Sequence, residues 1–310
     1  MNKRLRSPRG ERSVLATPTV VCFGEVLWDC LPKGIFLGGA PLNVAYHLAK
    51  QHVHAIPLSA VGCDFLGDEV VRRLDAWDMD HRGITRDPTH PTGTVSAMLD
   101  AGGSASYEIA RNVAWDHIKV APWIERMRAK PDAILFGTLA LRSSNNRAVL
   151  RRALTTWPEA VRVVDLNFRP PFDSQKVTAF ALAQAQLVKL NNLELARLTG
   201  KKGDTSKAVV EGARRLSDQY ELPRICVTAG EHGAGLWWDG QWHWENARRI
   251  KVRDTVGAGD AFLAGLLTAL FVRRAPPEAA LAYACRIGEF VASQDGATPD
   301  YSLDRKQCPR

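Results

Sequence analysis

The sequence predicts an α/β fold in which helices cover a mostly parallel sheet. From residue 19 onward, short apolar or β-branched runs alternate with segments of helical period. The apolar runs are typical of strands that are buried on both faces of a parallel sheet. The chain has 310 residues, of which 45% are hydrophobic and 24% charged, so it has enough apolar side chains for a large core.

The predicted elements follow one another in a regular order. Short apolar runs predict strands at residues 19–24, 55–61, 133–136, 161–166, 187–190 and 224–228. Periodic or apolar segments predict helices at residues 42–50, 193–198 and 261–272. Parallel neighbours need a long crossover connection, which the segments between these strands are long enough to supply.

Two segments depart from this alternation. Residues 26–37 follow the first strand without a helical pattern. Residues 92–109 hold two alternating runs around Gly102-Gly103, which predicts a β-hairpin. This hairpin would project as a flap over the carboxyl edge of the sheet, with an ordinary edge hairpin as the alternative. Four tryptophans around Asp239-Gly240 predict a further hairpin.

Charge and composition exclude several classes of protein. The net charge is +8, and residues before position 18 supply about half of it, so the sequence predicts no nucleic-acid partner. The longest apolar run, residues 261–272, is too short to cross a membrane. Residues 1–18 carry no secretory h-region and are predicted to be a disordered basic lead-in, residues 304–310 a tail, and the location cytoplasmic.

The glycine-rich segment Asp254-Thr-Val-Gly-Ala-Gly-Asp-Ala-Phe262 opens directly into an apolar helix. The backbone N–H groups of Gly257, Ala258 and Gly259 would lie at the helix N-terminus, which attracts anions such as phosphate. Asp260 could then accept a proton from an attacking hydroxyl. The alternative is a tight turn followed by an acidic residue in the first helical turn. The segment matches neither a Walker loop nor a dinucleotide fingerprint.

A second glycine-rich segment, Gly38-Gly-Ala-Pro-Leu-Asn-Val-Ala45, also enters a helix. Gly38 and Gly39 precede Pro41, which is favoured in the first helical turn. The Asn43 amide can both donate to and accept from a polyol. Asp29, just after the first strand, suits hydroxyl recognition. Loop structure and a solvated charge are the alternatives for these residues.

Polar residues follow the later strands at the edge where α/β folds hold ligands. Asn191 and Glu194 follow one strand, and Glu194 could hold hydrated Mg²⁺, with helix capping as the alternative. Thr228, Gly230 and Gly233 end another strand in a turn that suits nucleotide contact or a simple connection. Arg169, in Asp165-Leu-Asn-Phe-Arg-Pro-Pro171, could clamp a phosphate or cap the sheet edge.

The two glycine-rich segments resemble the C-terminal and N-terminal signatures of the ribokinase (PfkB) family of carbohydrate kinases. The resemblance extends in order and spacing over about residues 19–303 and includes N-x-x-E at 191–194 and T-x-G-x-x-G at 228–233. It implies a three-layer α/β/α kinase domain with a small β-lid, contributed by segments near 26–37 and 92–111.

The resemblance also implies a role for each motif. Its catalytic centre would be the base Asp260 with an anion hole at Gly257, Ala258 and Gly259. The sugar would be bound by Asp29, Gly38, Gly39, Asn43 and Arg169. The nucleotide side, with ATP and Mg²⁺, would be Asn191, Glu194, Thr228, Gly230 and Gly233. A monovalent cation, usually K⁺ in relatives, would lie near Asp254 and the loop around Gly296.

Within the family, Gly-Glu-Val-Leu-Trp-Asp-Cys-Leu-Pro at 24–32 and the Arg169 segment resemble fructokinases. This implies transfer of the ATP γ-phosphoryl group to a primary hydroxyl of fructose. Phe172-Asp173 stands where many fructokinases have a tryptophan, so 2-keto-3-deoxygluconate, ribose and nucleosides stay open as acceptors, as does a non-catalytic sensor. Relatives commonly pair as homodimers through the lid, which is the expectation here.

Overall fold

The computed structural model of the chain describes residues 18–99, 105–120, 130–304 and 309. The predicted lead-in up to residue 17, the Gly102-Gly103 turn and most of the predicted tail lie outside these residues. The strands are β1 Thr19–Phe23, β2 Leu27–Leu31, β3 Gly34–Gly38, β4 His54–Gly62, β5 Ile84–Asp87, β6 Gly93–Leu99, β7 Ala105–Ile109, β8 Ala133–Gly137, β9 Val161–Asp165, β10 Leu187–Asn191, β11 Arg224–Thr228, β12 Ala234–Trp238 and β13 Gln241–Glu245.

Helices connect β3 to β4, β4 to β5, β8 to β9, β9 to β10 and β10 to β11, and two more follow β13. The α-helices of the described residues are α1 Ala40–Lys50, α2 Phe65–Ala76, α3 Ser144–Thr156, α4 Gln175–Gln184, α5 Asn192–Thr199, α6 Ser206–Tyr220, α7 Ala258–Leu267 and α8 Pro277–Ala292. Short 3₁₀ turns lie at Ala114–His117, Leu139–Arg142 and Gly230–His232. Of these helices none is long and apolar enough to cross a membrane.

The larger sheet has nine strands in the order β13-β12-β11-β10-β9-β8-β1-β4-β5. Every neighbouring pair from β11 to β5 is parallel, which confirms the mostly parallel sheet. The predicted tryptophan hairpin, β12 and β13, adds the antiparallel end, with Trp237 opposite Trp242. Asp239 and Gly240 adopt positive φ in its two-residue turn.

Helices pack on both faces of this sheet, because alternate residues of a strand point to opposite sides. On β1, Val20 and Cys22 belong to the core formed with α1, α2, α7 and α8. Val21 and Phe23 belong to the core formed with α3, α4, α5 and α6. The fold is therefore the predicted three-layer α/β/α arrangement.

A second sheet of four strands, in the order β3-β2-β6-β7, lies beside the first. It contains the predicted hairpin at 92–109, as β6 and β7, and a hairpin of β2 and β3 within residues 27–38. The register puts Phe36, Asp29, Val95 and Ile109 in one row, on one face of the sheet. Trp28 connects β2 to α2, since its Nε1 donates to the Leu66 carbonyl at 3.1 Å.

The apolar helix near the C-terminus differs from its predicted bounds. Helix α7 begins at Ala258, three residues before the predicted start, because Gly257 in a left-handed conformation (φ 76°) serves as its N-cap. The predicted last turn, Thr268–Val272, is a π-helix rather than α-helix. The first helical turn thus contains the small-residue segment itself.

Candidate active site

The first turn of α7 forms the centre of the candidate site. Gly257 needs to be glycine, because its φ is positive and a Cβ there would lie 2.6 Å from the Ala297 Cα. The next residues, Ala258 and Gly259, are small and line a cleft at the helix N-terminus, and the Ala258 N–H donates to the Thr255 carbonyl oxygen at 3.2 Å. This turn can accept an anion, and Asp260 lies within it.

Asp260 is buried and has a partner from the other end of the chain. Asn43 Nδ2 donates a hydrogen bond of 2.8 Å to Asp260 Oδ2. Asn43 lies in α1, one turn after Gly39, and α1 packs against α7. Its Oδ1 is also buried and accepts no hydrogen bond from any described residue. The fold thus brings the two glycine-rich segments of the sequence together and leaves one amide oxygen for a ligand.

The pKa of Asp260 is raised to about 6. Burial is the main cause, because it penalises the charged carboxylate, and Asp165 adds repulsion. Lys189, the Asn43 hydrogen bond and Arg169 favour the carboxylate and oppose these effects. A carboxyl group with this pKa is ionised at neutral pH and is still basic enough to accept a proton.

Lys189 and Asp165 form a buried ion pair beneath the first turn of α7. The Lys189 Nζ lies 3.0 and 3.1 Å from the two Asp165 carboxylate oxygens, and a Cβ on Gly259 would lie 3.2 Å from it. Burial alone lowers the Lys189 pKa, but attraction to Asp165, Asp260 and Glu194 raises it overall. Sequence analysis did not single out these two residues, although a lysine inside the apolar run Leu187–Asn191 is an unusual feature.

Glu25 is a further buried acid that sequence analysis missed. One of its oxygens, Oε1, accepts a hydrogen bond of 3.3 Å from the Ala40 N–H at the start of α1. Among the described residues the other oxygen, Oε2, has no hydrogen-bond partner. Burial raises the Glu25 pKa to about 7, and Arg169 partly opposes this. Its position directly after β1 is the signal that could have identified it, because α/β folds hold ligands at that edge.

Asp29, Gly38 and Gly39 lie together where the second sheet meets α1. A Cβ on Gly38 would come within 2.7 Å of Asp29 Oδ2, and one on Gly39 within 2.3 Å of the Glu25 carbonyl oxygen. Gly39 is therefore required by its positive φ and by the close backbone of Glu25, whereas a side chain at Gly38 would displace the Asp29 carboxylate. Burial raises the pKa of Asp29, and Arg169 partly opposes the shift.

Arg169 is exposed, and it lies in the loop after β9. Its guanidinium lowers the pKa values of Glu25, Asp29 and Asp260. Glu25 follows β1, Asp29 lies in β2 and Asp260 lies in α7, so Arg169 lies near acids from three separate parts of the chain. The structure thus brings the predicted sugar-side residues together near Asp260.

Asn191 and Glu194 form a capping box at the start of α5. Asn191 Oδ1 accepts from the Glu194 N–H at 2.8 Å, and Glu194 Oε2 accepts from the Asn191 N–H at 2.8 Å. Glu194 Oε1 also accepts from the Phe168 N–H at 2.7 Å, so this acid connects α5 to the Arg169 loop. The capping alternative from the sequence is present, and burial, with repulsion by Asp165, raises the Glu194 pKa.

A cleft of about 720 Å³ opens on the other side of the α7 N-terminus. Thr228, Gly230 and Gly233 line it, as predicted for the nucleotide side, together with Ala258 and Gly259. Its remaining lining is mostly contributed by residues 247–255 and by one face of α8. The volume and the mixed apolar and polar lining are typical of a small-molecule site.

Asp254 connects the turn before α7 to the loop around Gly296. Its Oδ1 accepts from the Val256 N–H at 3.0 Å, and its Oδ2 accepts from the Gly296 N–H at 3.2 Å. The two loops that the resemblance names for a monovalent cation are therefore adjacent. The described residues contain no group of three or more His, Cys, Asp or Glu side chains placed to hold a metal ion.

The sequence is similar to those of known carbohydrate kinases. The family model for pfkB family carbohydrate kinases matches residues 34–303. A fructokinase of Klebsiella pneumoniae is 30% identical over 293 residues, which cover 88% of this chain and 93% of that protein. A fructokinase of Solanum tuberosum is 26% identical and covers 93% of each chain.

The fold is also similar to those of sugar kinases with solved structures. A fructokinase of Vibrio cholerae O395, with fructose, ADP and a calcium ion bound, has a TM-score of 0.77 and 25% identity, covering 91% of this chain and 95% of that one. A 2-dehydro-3-deoxygluconokinase of Thermotoga maritima shares the fold, with a TM-score of 0.80 at 20% identity over 92% of this chain and 97% of that one. Since the family model covers most of its length, the chain belongs to the pfkB family of carbohydrate kinases.

Proposed function

We propose that the protein is an ATP-dependent sugar kinase that transfers the γ-phosphoryl group to a primary hydroxyl of fructose. The observation that carries this proposal is the position of Asp260. It is a buried carboxyl group at an anion-accepting helix N-terminus, and Asn43 contacts it from the sugar side. A base between a phosphate site and a hydroxyl site is what phosphoryl transfer to an alcohol requires.

The sugar would lie between the second sheet and α1. Asp29, Gly38, Gly39 and Asn43 surround this space, and Asn43 Oδ1 is available to accept from a sugar hydroxyl. Arg169 would contact the sugar or the transferred phosphoryl group from the crevice side. Fructose is the proposed acceptor because the curated relatives named above and the Vibrio cholerae structure are fructokinases.

ATP would occupy the 720 Å³ cleft. Thr228, Gly230 and Gly233 would contact the nucleoside part, because they line the cleft and belong to the end of β11 and the turn after it rather than to α7. The triphosphate would then extend toward Ala258 and Gly259, with Asn191 facing it from the start of α5. An in-line approach of the hydroxyl requires that sugar and ATP reach Asp260 from opposite sides, as these positions allow.

The chemical step follows from these positions. Asp260 accepts the proton of the primary hydroxyl while its oxygen forms a bond to the γ-phosphorus and the bond from that phosphorus to the ADP oxygen breaks. The N–H groups of Gly257 and Gly259 would donate to the oxygens on which negative charge develops, and that of Ala258 would join them by exchanging the Thr255 carbonyl oxygen for the phosphate. Lys189, beneath Gly259, adds positive charge at the same point.

The charges around Lys189 suit Mg²⁺ that arrives with ATP. Three carboxyl groups, Asp165, Glu194 and Asp260, act on this one ammonium group, so negative charge is in excess. Both Glu194 oxygens already accept backbone N–H groups, which leaves lone pairs for Mg²⁺-bound water rather than direct coordination. Mg²⁺ would neutralise the phosphate oxygens, and Glu194 with Asn191 would orient its water shell.

We also propose that a monovalent cation, K⁺ by analogy with relatives, binds beside the anion hole. Asp254 supports this, because its carboxylate holds together the turn before α7 and the Gly296 loop. Backbone carbonyls of the two loops would supply most of the ligands.

The second sheet would serve as a lid over the sugar. Phe36 and Tyr107, on the same face as Asp29, are 46% and 64% exposed. Covering these apolar side chains on closure would be favourable, and it would exclude water from the γ-phosphate. Phe172, where many fructokinases have tryptophan, packs between the guanidinium groups of Arg111 and Arg142, near the base of this lid.

The test is a coupled assay of ADP release with Mg·ATP and K⁺. The acceptor panel is fructose, tagatose, ribose, 2-keto-3-deoxygluconate and adenosine. We expect selective turnover of fructose, and Asp260→Asn should lose at least about a thousandfold in kcat while it keeps the fold and ATP binding. Turnover of another acceptor would replace the substrate and keep the mechanism. Near-normal turnover by Asp260→Asn would refute the base assignment.

A further inference from the structure

One face of α1 contacts both Asp260 and the segment that packs against Gly257 at the start of α7. Asn43 and His47 are four residues apart and so lie on the same face of the helix. Asn43 donates to Asp260, as described above. His47 contacts the segment 296–301, and Ala297 in that segment packs against Gly257. The helix therefore touches the base directly and the anion-accepting turn through one intervening residue.

His47 is completely buried and makes two hydrogen bonds to this segment. Its Nε2 lies 2.9 Å from the Ala297 carbonyl oxygen, and its Nδ1 lies 3.2 Å from the Tyr301 hydroxyl. A carbonyl only accepts, so Nε2 must carry the proton and Nδ1 must accept from Tyr301. Burial lowers the His47 pKa to about 4, so the ring stays neutral and keeps this tautomer at physiological pH.

The Ala297 backbone is the surface against which Gly257 rests. An added Cβ on Gly257 would meet Ala297 Cα, Cβ and carbonyl oxygen within 2.6 to 2.7 Å. The same carbonyl group accepts from His47. The neighbouring Gly296 N–H donates to Asp254 in the turn before α7. A shift of Ala297 would thus be transmitted to the N-cap of α7.

We infer that His47 is a positioning residue for phosphoryl transfer: by holding the Ala297 carbonyl, it fixes the backbone against which the anion-accepting turn at Gly257 is packed. This inference rests on the function proposed above, because it concerns the same transfer site. His47 itself touches neither substrate, and it acts through Ala297 and Gly257. The contribution would appear in kcat, since the turn stabilises charge that develops only during transfer.

Two variants separate the effect of the His47 hydrogen bond from the effect of the volume of its side chain. His47→Leu fills the site with an apolar group and removes the donor to Ala297. His47→Gln removes the ring but keeps an N–H donor of similar reach. We expect kcat to fall about tenfold in His47→Leu with each KM changed less than about twofold, and His47→Gln to recover most of the loss.

Lys50→Met is the matched control. Lys50 is on the same helix and contacts the same segment, through Asp300 at 2.5 Å, but this ion pair is exposed and adds little. We expect its kcat to stay within about twofold of the wild-type value. Equal kcat in wild type and His47→Leu, equal losses in His47→Leu and His47→Gln, or a loss confined to KM would each overturn the inference.

Hydrogen exchange gives a readout that does not need turnover. In the ligand-free protein, the amides of residues 257–261 and 296–298 should exchange faster in His47→Leu than in wild type or His47→Gln, while the strands of the large sheet stay protected. Unchanged exchange in His47→Leu would overturn the inference even if the kinase reaction is established. If no acceptor is phosphorylated, hydrogen exchange still tests whether His47 holds the turn at Gly257. A failure of the proposed kinase function can therefore be distinguished from a failure of the inference about His47.

Discussion

At the scale of single residues, the pKa of Asp260 makes a direct prediction for the pH profile. In the proposed mechanism the carboxylate is the active form, and its pKa is about 6. kcat/KM for the sugar should therefore fall about tenfold per pH unit below about pH 6. Asn43→Ala removes a hydrogen bond that favours the carboxylate, so this acid limb should move to higher pH.

Glu25 needs a control in this experiment, because its pKa of about 7 lies close to that of Asp260. Glu25→Gln removes the contribution of Glu25, and a shift of the remaining limb on Asn43→Ala in that background assigns it to Asp260, because Asn43 donates to Asp260. An acid limb at the same pH in Asn43→Ala and wild type would contradict the role of the amide. Initial rates at subsaturating sugar between pH 5 and 8 are the measurement.

Some residues of the candidate site could be predicted from the sequence, and others could not. Asp260, Asn43 and Gly257 were identified because each lies in a short glycine-rich segment with a physical reason for its composition. Lys189 and Asp165 were missed because each lies in a short strand with no motif around it that indicates a partner, and only the register of β9 and β10 puts them opposite each other. Such partners depend on strand pairing, which a single sequence leaves undetermined.

At the scale of elements, Glu194 joins the start of α5 to the Arg169 loop. Glutamine at this position has one oxygen, so it can accept from only one of the Phe168 and Asn191 N–H groups. We expect Glu194→Gln to lose about 1 to 3 kcal/mol of unfolding free energy and to need several-fold more Mg²⁺ for half-maximal rate.

Leu193→Gln is the control for this variant, because Leu193 lies in the same turn and is 75% exposed. It should change neither stability nor Mg²⁺ dependence. Urea unfolding and a Mg²⁺ titration at fixed ATP measure the two effects. An unchanged Mg²⁺ dependence in Glu194→Gln would remove Glu194 from the metal side of the site and leave it as a helix cap.

Strands and hairpins were predicted most accurately where the alternation of apolar and polar residues agrees with turn-forming residues at the ends of the segment. The apolar strands and the hairpins at 92–109 and Asp239-Gly240 have clear patterns, and they form as expected. The hairpin of β2 and β3 was not predicted, because residues 26–37 lack a regular alternation of apolar and polar side chains. Its strands owe their place to pairing with β6, which is remote in sequence.

At the scale of the whole molecule, the second sheet predicts self-association. Strand β3 is an edge strand of that sheet, and Ile35 on it is 56% exposed. An edge strand with an exposed apolar residue can pair with another copy of itself. We expect a homodimer in sedimentation experiments at micromolar concentration, and Ile35→Lys should shift it toward monomer by at least about tenfold in Kd.

Lys33→Ala, in the turn before β3, serves as a nearby exposed control. It should leave the dimer intact. A wild-type protein that sediments as a monomer at all accessible concentrations would contradict pairing through this edge, as would a dimer that Ile35→Lys leaves unchanged.

The hydrogen bond between Asn43 and Asp260 joins residues that are 217 positions apart in the chain. During synthesis on the ribosome, Asp29 of β2 and Asn43 of α1 emerge long before α7 is made. A chain interrupted between residues 43 and 257 carries these groups without Asp260 or the turn at Gly257. Under the proposed mechanism such incomplete products cannot transfer phosphate from ATP, and activity arises only when about the last sixth of the chain has been synthesised and has packed against α1.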